Sequence, residues 1–423
     1  MGLARILGLA SRSTAVPSTA DRKTVKRLVS LSHDLLSERG GLAGGPLATE
    51  ALGIYQSLDQ PGRRAFFKFL IRDFSPDPEE VGRAADAYRR APTSENLSEL
   101  QRVVEPPRQE LFRRLNLAQD GTRALVEMRR DALREIDAGH ALEPIAADLG
   151  HLLTSWFNRG FLRLEQIEWR SSAVVLQKLI EYEAVHQIQG WDDLRRRLEA
   201  DRRCYAFFHS ALPEEPLIFI EVALTRGMSE RVQPLLDPKS PVEAPESADT
   251  AIFYSITNCQ DGLRGVPFGS LLIKQVVEDL RKTLPRLRTF ATLSPIPGFR
   301  KWLGREFEGE FETVQPGQAD PPTKQRLLGL CAHYLLRAKR GVEPLDPVAR
   351  FHLKNGARLD RINWDADRSA SGLRQSAGLM ANYVYDLEEL ERNHALYLRS
   401  GQIAASRRVR VLDRQAAGAN QGG

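Results

Sequence analysis

From Asp21 to about Phe157 the apolar positions recur every three to four residues, the period of a helix with one buried face. Val25, Leu28, Leu31 and Leu35 make one such stripe, which the Gly40-Gly41 pair is expected to end. Asp77, Pro78 and Glu80 open another helix, supplying an N-cap carboxylate, a first-turn residue that needs no amide hydrogen and a capping-box acid. Further helical stretches are predicted over 63–74, 94–104, 108–115 and 121–136, with no β-rich run between them. After Gly160 the texture changes. Ile167, Tyr205–His209, Leu217–Leu224 and Ala251–Thr257 fall in short β-branched and aromatic runs that alternate with helical segments. The reading is α+β, with an all-helical bundle over 21–158 followed by a mixed domain over 159–405.

Two ends are expected to be disordered tails, 1–20 and 406–423. The first carries Arg5 and Arg12 and no acid. It is read as a frayed tail in preference to a transit peptide, because neither a long apolar stretch nor a clear cleavage site follows. The second joins a basic run, Arg407 to Arg414, to a segment of alanine, glycine and glutamine.

Composition narrows the classes further. A chain of 423 residues is long enough for two substantial domains. Its 42% hydrophobic and 27% charged residues exclude a disordered chain, a collagen-like repeat and a small disulfide scaffold. Cys204, Cys259 and Cys331 stand far apart with no CxxC pair, so no metal site is expected and a reducing, cytoplasmic compartment fits. The longest apolar candidate for a membrane span, Pro216 to Leu224, is short and broken by Glu221, so no membrane partner is expected. Sixty basic residues against 55 acidic ones give +5, which admits an anionic partner without naming it. GxGxxG, Walker A, HExxH and GxSxG patterns are absent.

Three clusters carry candidate chemistry. The first is a strand, a glycine loop and a helix: AlaIlePheTyrSerIleThr from Ala251, Gly262, Gly265 and Gly269 in the loop, then an apolar stripe of Leu272, Val276, Leu280 and Leu284. Such a loop either cradles phosphate oxygens at the helix N-terminus or is a plain turn. The second cluster is Ser294, followed by Pro295, Pro297 and Gly298, a stiff turn that either fixes a catalytic hydroxyl or merely turns the chain. The third holds His352 between Phe351 and Leu353, as a core histidine or a desolvated acid/base.

Read together and in order, these blocks resemble the malonyl-CoA decarboxylase family. The resemblance is carried by TyrSerIle with GlyLeuArgGlyVal downstream, LeuSerProIleProGlyPhe at Leu293, AspProValAlaArgPheHisLeuLysAsnGlyAla at Asp346, and ArgIleAsnTrp with GlyLeuMetAlaAsnTyrValTyr at Gly378. Upstream it extends through SerTrpPheAsnArgGlyPheLeu at Ser155, GluAlaValHis at Glu183 and ArgArgCysTyr at Arg202. It implies a helical domain used in homo-oligomerisation, as a dimer or tetramer, and a GNAT-like (acetyltransferase-fold) catalytic domain. It also implies malonyl-CoA as substrate, no cofactor and no nucleic-acid partner. Ser294 and His352 match the family's catalytic pair, and Tyr385 a tyrosine beside it. Arg264, Gly265, Val266, Pro267, Phe268, Gly269 and Ser270 match the loop for the CoA pyrophosphate, and Lys178 a family lysine. One departure stands out: animal-type members have a glutamate where this chain has Pro267, and an aliphatic residue where it has Phe268. An acyl-CoA-dependent acyltransferase is the alternative the same fold allows.

Overall fold

The computed structural model describes residues 19–37, 39–266, 268–307, 311, 314, 317 and 319–419. Its contacts divide the chain into two compact units. The first runs to Phe161 and takes in His209–Pro213 and Gln260–Val266, two short segments that the sequence pattern assigns to the mixed domain.

Among the described residues, eight α-helices build the first unit: α1 (Thr19–Leu36), α2 (Arg39–Ser57), α3 (Gln60–Asp73), α4 (Pro78–Arg90), α5 (Ser94–Val104), α6 (Pro107–Leu115), α7 (Gly121–Asp137) and α8 (Glu143–Trp156). Their caps follow from the residues. Asp77 accepts from the Glu79 amide at 2.9 Å, and Asp59 caps α3 through Gly62 at 2.7 Å. Leu28, Leu31 and Leu35 are buried as the stripe requires, and they join a core containing Phe66, Phe67, Phe112, Leu125 and Leu149. Gly40 and Gly41 do not end α1. They lie in the opening turns of α2, because a glycine pair suits the start of one helix as well as the end of the last.

In chain order the second unit comprises β1 (Leu162–Ile167), α9 (Ala173–Tyr182), α10 (Trp191–Arg197), β2 (Arg202–His209, whose last residue falls in the first unit), β3 (Ile218–Thr225), α11 (Gln233–Leu236), β4 (Thr250–Asn258), α12 (Phe268–Thr283), β5 (Thr289–Thr292) and β6 (Ser294–Pro295). It continues with α13 (Phe299–Glu306), α14 (Pro321–Arg337), β7 (Lys339–Arg340), β8 (Glu343–Pro344), α15 (Pro347–Lys354), β9 (Arg358–Asn363), α16 (Ala370–Ser376), β10 (Met380–Val384), α17 (Leu390–Ser400) and α18 (Arg407–Ala419). The sheet runs β1-β2-β3-β4-β5-β10-β6, with β9 also on β10. The α+β organisation read from the pattern is therefore the observed one.

Two irregularities in this sheet matter. β4 and β5 pair in parallel only from Thr250 with Thr289 to Phe253 with Thr292, so the rest of β4 has no β5 partner. On its other edge, β4 shifts register against β3 where Glu221 faces Ser255 but Val222 faces Phe253, which leaves Tyr254 as a bulge residue.

The expected tail at 406–423 is overturned over most of its length, since Arg407–Ala419 is a helix. Ser406 caps it through the Val409 amide at 3.3 Å, and Val409, Asp413 and Ala416 are buried on one face. That face packs on α14, where a side chain at Gly329 would meet Ala416 Cβ and the Leu412 carbonyl, each at 3.2 Å. The basic residues on the outer face hide this stripe in the sequence. Residues 1–18 and 420–423 of the two expected tails lie outside the described residues.

Gly329→Val should therefore destabilise the protein by about 1–3 kcal/mol through overpacking. Gly82→Ala, in open space on α4, should be neutral or stabilising by up to about 1 kcal/mol. Thermal unfolding of both variants checks the contrast, and equal Tm values would contradict the α14–α18 contact.

Candidate active site

Ser294, His352 and Tyr385, far apart in sequence, meet in the second unit. Ser294 enters on β6, which pairs with β10 through Ala381, and Tyr385 follows the end of β10 with its amide bonded to the Phe290 carbonyl at 2.8 Å. His352 lies on α15. Asp346 starts that helix by accepting from the Val348 and Ala349 amides at 3.0 and 2.9 Å, with Pro347 in the first turn. His352 Nε2 is 3.0 Å from Ser294 Oγ and its Nδ1 is 2.7 Å from Tyr385 Oη.

The hydrogens of this chain follow from counting donors. Ser294 Oγ donates to Thr292 Oγ1 at 2.8 Å, so its single hydrogen is spent there. Nε2 must then carry the hydrogen shared with Ser294, and Nδ1 accepts from the Tyr385 hydroxyl. Tyr383 stacks on the imidazole at 4.7 Å between centroids, and its own amide donates to Thr292 Oγ1 at 3.1 Å.

All three members are buried. Burial disfavours the imidazolium and pushes the His352 pKa down to about 3, so the ring is neutral at physiological pH. Burial likewise raises the Tyr385 phenol well above its ordinary value. Beside Ser294 and His352 opens a cavity of about 250 Å³, walled by Val185, Ile218, Phe253, Pro295, Val348 and Phe351, with Tyr254, Ser255 and Asn258 also among its lining residues. It sits where β4 runs on without β5. A larger cleft of about 620 Å³ near the ends of α14 and α18, lined by Arg337, Lys339, Arg407, Arg410 and Arg414, contains none of the candidate residues.

The glycine loop resolves into separate local demands. Gly262 lies so close to the Val126 carbonyl that a Cβ would come within 1.9 Å, and Gly265 adopts a φ of +90°. Arg129 donates to the Gly262 and Arg264 carbonyls at 2.6 and 2.9 Å, and Arg264 pairs with Asp137 at 3.3 Å. These contacts, with Val266, belong to the first unit. Phe268, Gly269 and Ser270 open α12 in the second, where the Phe351 ring occupies the space a Gly269 side chain would need. Pro267 lies outside the described residues.

Lys178 does not join the others. Its ammonium is committed to Glu215 at 2.6 Å and the Glu214 carbonyl at 3.3 Å. Sequence reasoning missed Thr292, Tyr383 and Asp346. The last was the most legible, as an Asp-Pro helix start six residues before His352. It also touches the turn after Ser294, accepting from the Gly298 amide at 3.5 Å, and burial raises its carboxyl pKa.

The family models for the malonyl-CoA decarboxylase N-terminal and C-terminal domains match residues 74–157 and 160–421. The mitochondrial malonyl-CoA decarboxylase of the goose Anser anser anser is 38% identical over 414 residues, covering 86% of this chain and 82% of its own. The crystal structure of malonyl-CoA decarboxylase from Rhodopseudomonas palustris matches with a TM-score of 0.85 at 48% identity, over 92% of this chain and 99% of that one. The corresponding structure from Agrobacterium vitis gives 0.83 at 43% identity with the same coverage. Spanning both units, these likenesses show that the chain belongs to the malonyl-CoA decarboxylase family and is a decarboxylase.

Proposed function

We propose that this enzyme converts malonyl-CoA to acetyl-CoA and carbon dioxide at the Ser294–His352–Tyr385 chain, without a cofactor. The observation that carries the reading is this hydrogen-bonded chain at the wall of a small apolar cavity that has no lysine or arginine among its lining residues. A malonyl carboxylate there loses water and gains no cation, so its charge is less stable than the charge that builds on the thioester oxygen as the bond breaks. The carbon–carbon bond to the carboxylate breaks, its electron pair passes into the thioester as an enolate, and carbon dioxide leaves. Ser294 turns its hydroxyl hydrogen from Thr292 to the substrate and orients it. His352 then delivers the Nε2 proton to the α-carbon. That carbanion is a far stronger base than an imidazole nitrogen, so a neutral ring is acid enough. Tyr385 supplies Nδ1 from behind, and solvent restores the one proton consumed per turnover.

Support for the CoA handle comes from the opening turn of α12, where the amides of Phe268, Gly269 and Ser270 are of the kind that receives phosphate oxygens. The participation of Arg264, Gly265, Val266 and Pro267 rests on the resemblance alone. So do the acetyltransferase-like character of the second unit, homo-oligomerisation through the first and a cytoplasmic location. Among the described residues no helix is long and apolar enough to cross a membrane.

Incubation with malonyl-CoA and identification of products by mass tests the reading directly. Acetyl-CoA with carbon dioxide is expected, free malonate would indicate a thioesterase, and no product without an added acceptor would favour an acyltransferase. Ser294→Ala and His352→Asn should each lower kcat at least tenfold, the low end for general acid–base chemistry being about 10², with CoA affinity near wild type by calorimetry. Unchanged turnover in either variant removes its residue from the mechanism.

The pH dependence has a definite sign. Because the His352 pKa is lowered, the neutral, active ring persists as pH falls, and protonation sets in only toward about 3. The kcat profile should therefore lack the acid limb that an ordinary histidine gives near about 6.5. A limb at that value would contradict a buried neutral donor.

A further inference from the structure

One buried carboxylate near the cavity is not used in the mechanism. Glu183 stands at the end of α9, and the hydrogen bonds it accepts come from neutral donors. Its Oε1 accepts from the Val185 and His186 amides, both at 2.8 Å. The Ser255 hydroxyl donates to the same carboxylate at 2.8 Å and that of Thr257 at 3.2 Å. The first two bonds shape the turn 183–186; the other two fasten it to β4. His186 adds a third attachment. It is buried with its Nε2 unpartnered, and its ring lies beside that of Tyr254 at 6.5 Å between centroids.

Tyr254 is the bulge residue of β4, and Ser255 follows it. Val185, Phe253, Tyr254, Ser255 and Ile256 all line the cavity that holds Ser294 and His352. Beyond Phe253 this stretch has lost its β5 partner, so its place is not fixed by a strand on that side. We propose that Glu183 and His186 are positioning residues for decarboxylation: from one turn they hold the bulged part of β4, unpaired on its β5 edge, and Val185 as the wall against which the acyl group is aligned. The inference rests on the reading of this cavity as the acyl site. Orientation is where a small displacement is costly, since a shift of about 1 Å in a reacting group costs on the order of 10²-fold. The turn therefore acts on kcat rather than on CoA binding.

The test compares Glu183→Ala with Glu183→Gln, and His186→Leu with His186→Phe. In Glu183→Gln the side-chain carboxamide retains an oxygen for the two amides, and its amino group donates to the Ser255 and Thr257 hydroxyls once their hydrogens turn; in His186→Phe a ring stays beside that of Tyr254. We expect kcat to fall about 10- to 100-fold in Glu183→Ala and His186→Leu, with free-CoA affinity within about twofold of wild type and at least half of the lost activity restored by the conservative partners. Thr257→Val, which removes one donor and keeps the shape, covers the case in which the alanine variant does not fold; a severalfold lower kcat at unchanged Tm is expected. Wild-type kcat in folded Glu183→Ala or in Thr257→Val overturns the proposal. So does a parallel loss of activity, CoA affinity and Tm without rescue, which marks a purely structural role. If instead Ser294→Ala and His352→Asn turn over normally, it is the reading of the cavity that fails.

Discussion

Where two parallel strands stop pairing, their backbone groups must find other partners or line a space that a ligand fills. The parting of β4 from β5 after Phe253 and Thr292 is the constraint around which the second unit is arranged. Leu293 makes one last bond to the Phe253 carbonyl at 3.0 Å, and the chain then turns through Pro295 and Pro297 to place Ser294 against β10 instead. The gap is roofed by α15, which brings His352 and Phe351. Closure there is tight enough that Phe351 needs the bare backbone of Gly269 beneath it. The cavity is thus a consequence of sheet topology, and the candidate residues Ser294 and His352 reach it from β6 and α15.

An apolar gap of this kind sets a rule for every ionisable group near it. Burial opposes charge, and the groups at the site are satisfied by neutral hydrogen bonds: His352 by two hydroxyls, Glu183 by two amides and two hydroxyls, Asp346 chiefly by amides. A charged network of the same unit, Arg197 with Asp193 and Glu221 at 2.9 Å, is close enough to Glu183 to act on it through space but is not among the cavity's lining residues; burial pushes the Glu221 pKa up to about 8. No lysine or arginine is among the cavity's described lining residues, which suits the proposed loss of carbon dioxide.

Much of this was legible in the sequence. Caps and three-to-four spacing located the helices of the first unit because local signals there agree with packing. Ser294, His352 and Tyr385 could be singled out because their blocks resemble a family; on spacing alone a serine before proline and a histidine between apolar neighbours have ordinary structural readings. Thr292 and Tyr383 were invisible, since their roles arise only when β5, β6 and β10 are laid side by side. The register of a sheet is a long-range property that no local window holds. Lys178 shows the converse: it sits in a family-like block, yet Glu215 claims its charge. The C-terminal helix escaped notice because arginines outnumber the few residues of its buried stripe.

That helix is less remote from the chemistry than its place in the sequence suggests. α18 packs on α14 along the face that holds Gly329, and Tyr334, one turn further along α14, donates to Asp346 at 3.4 Å. Asp346 in turn caps the helix of His352 and reaches the Gly298 amide in the turn that follows Ser294. Gly298 has no room for a side chain because the Tyr334 hydroxyl fills the space. A single buried carboxylate thus fixes the start of the histidine's helix and the end of the serine's turn relative to each other, and the stack of α18 on α14 holds that carboxylate's fourth partner, Tyr334. The 3.0 Å separation of Ser294 and His352 is set by this frame as much as by the pair itself.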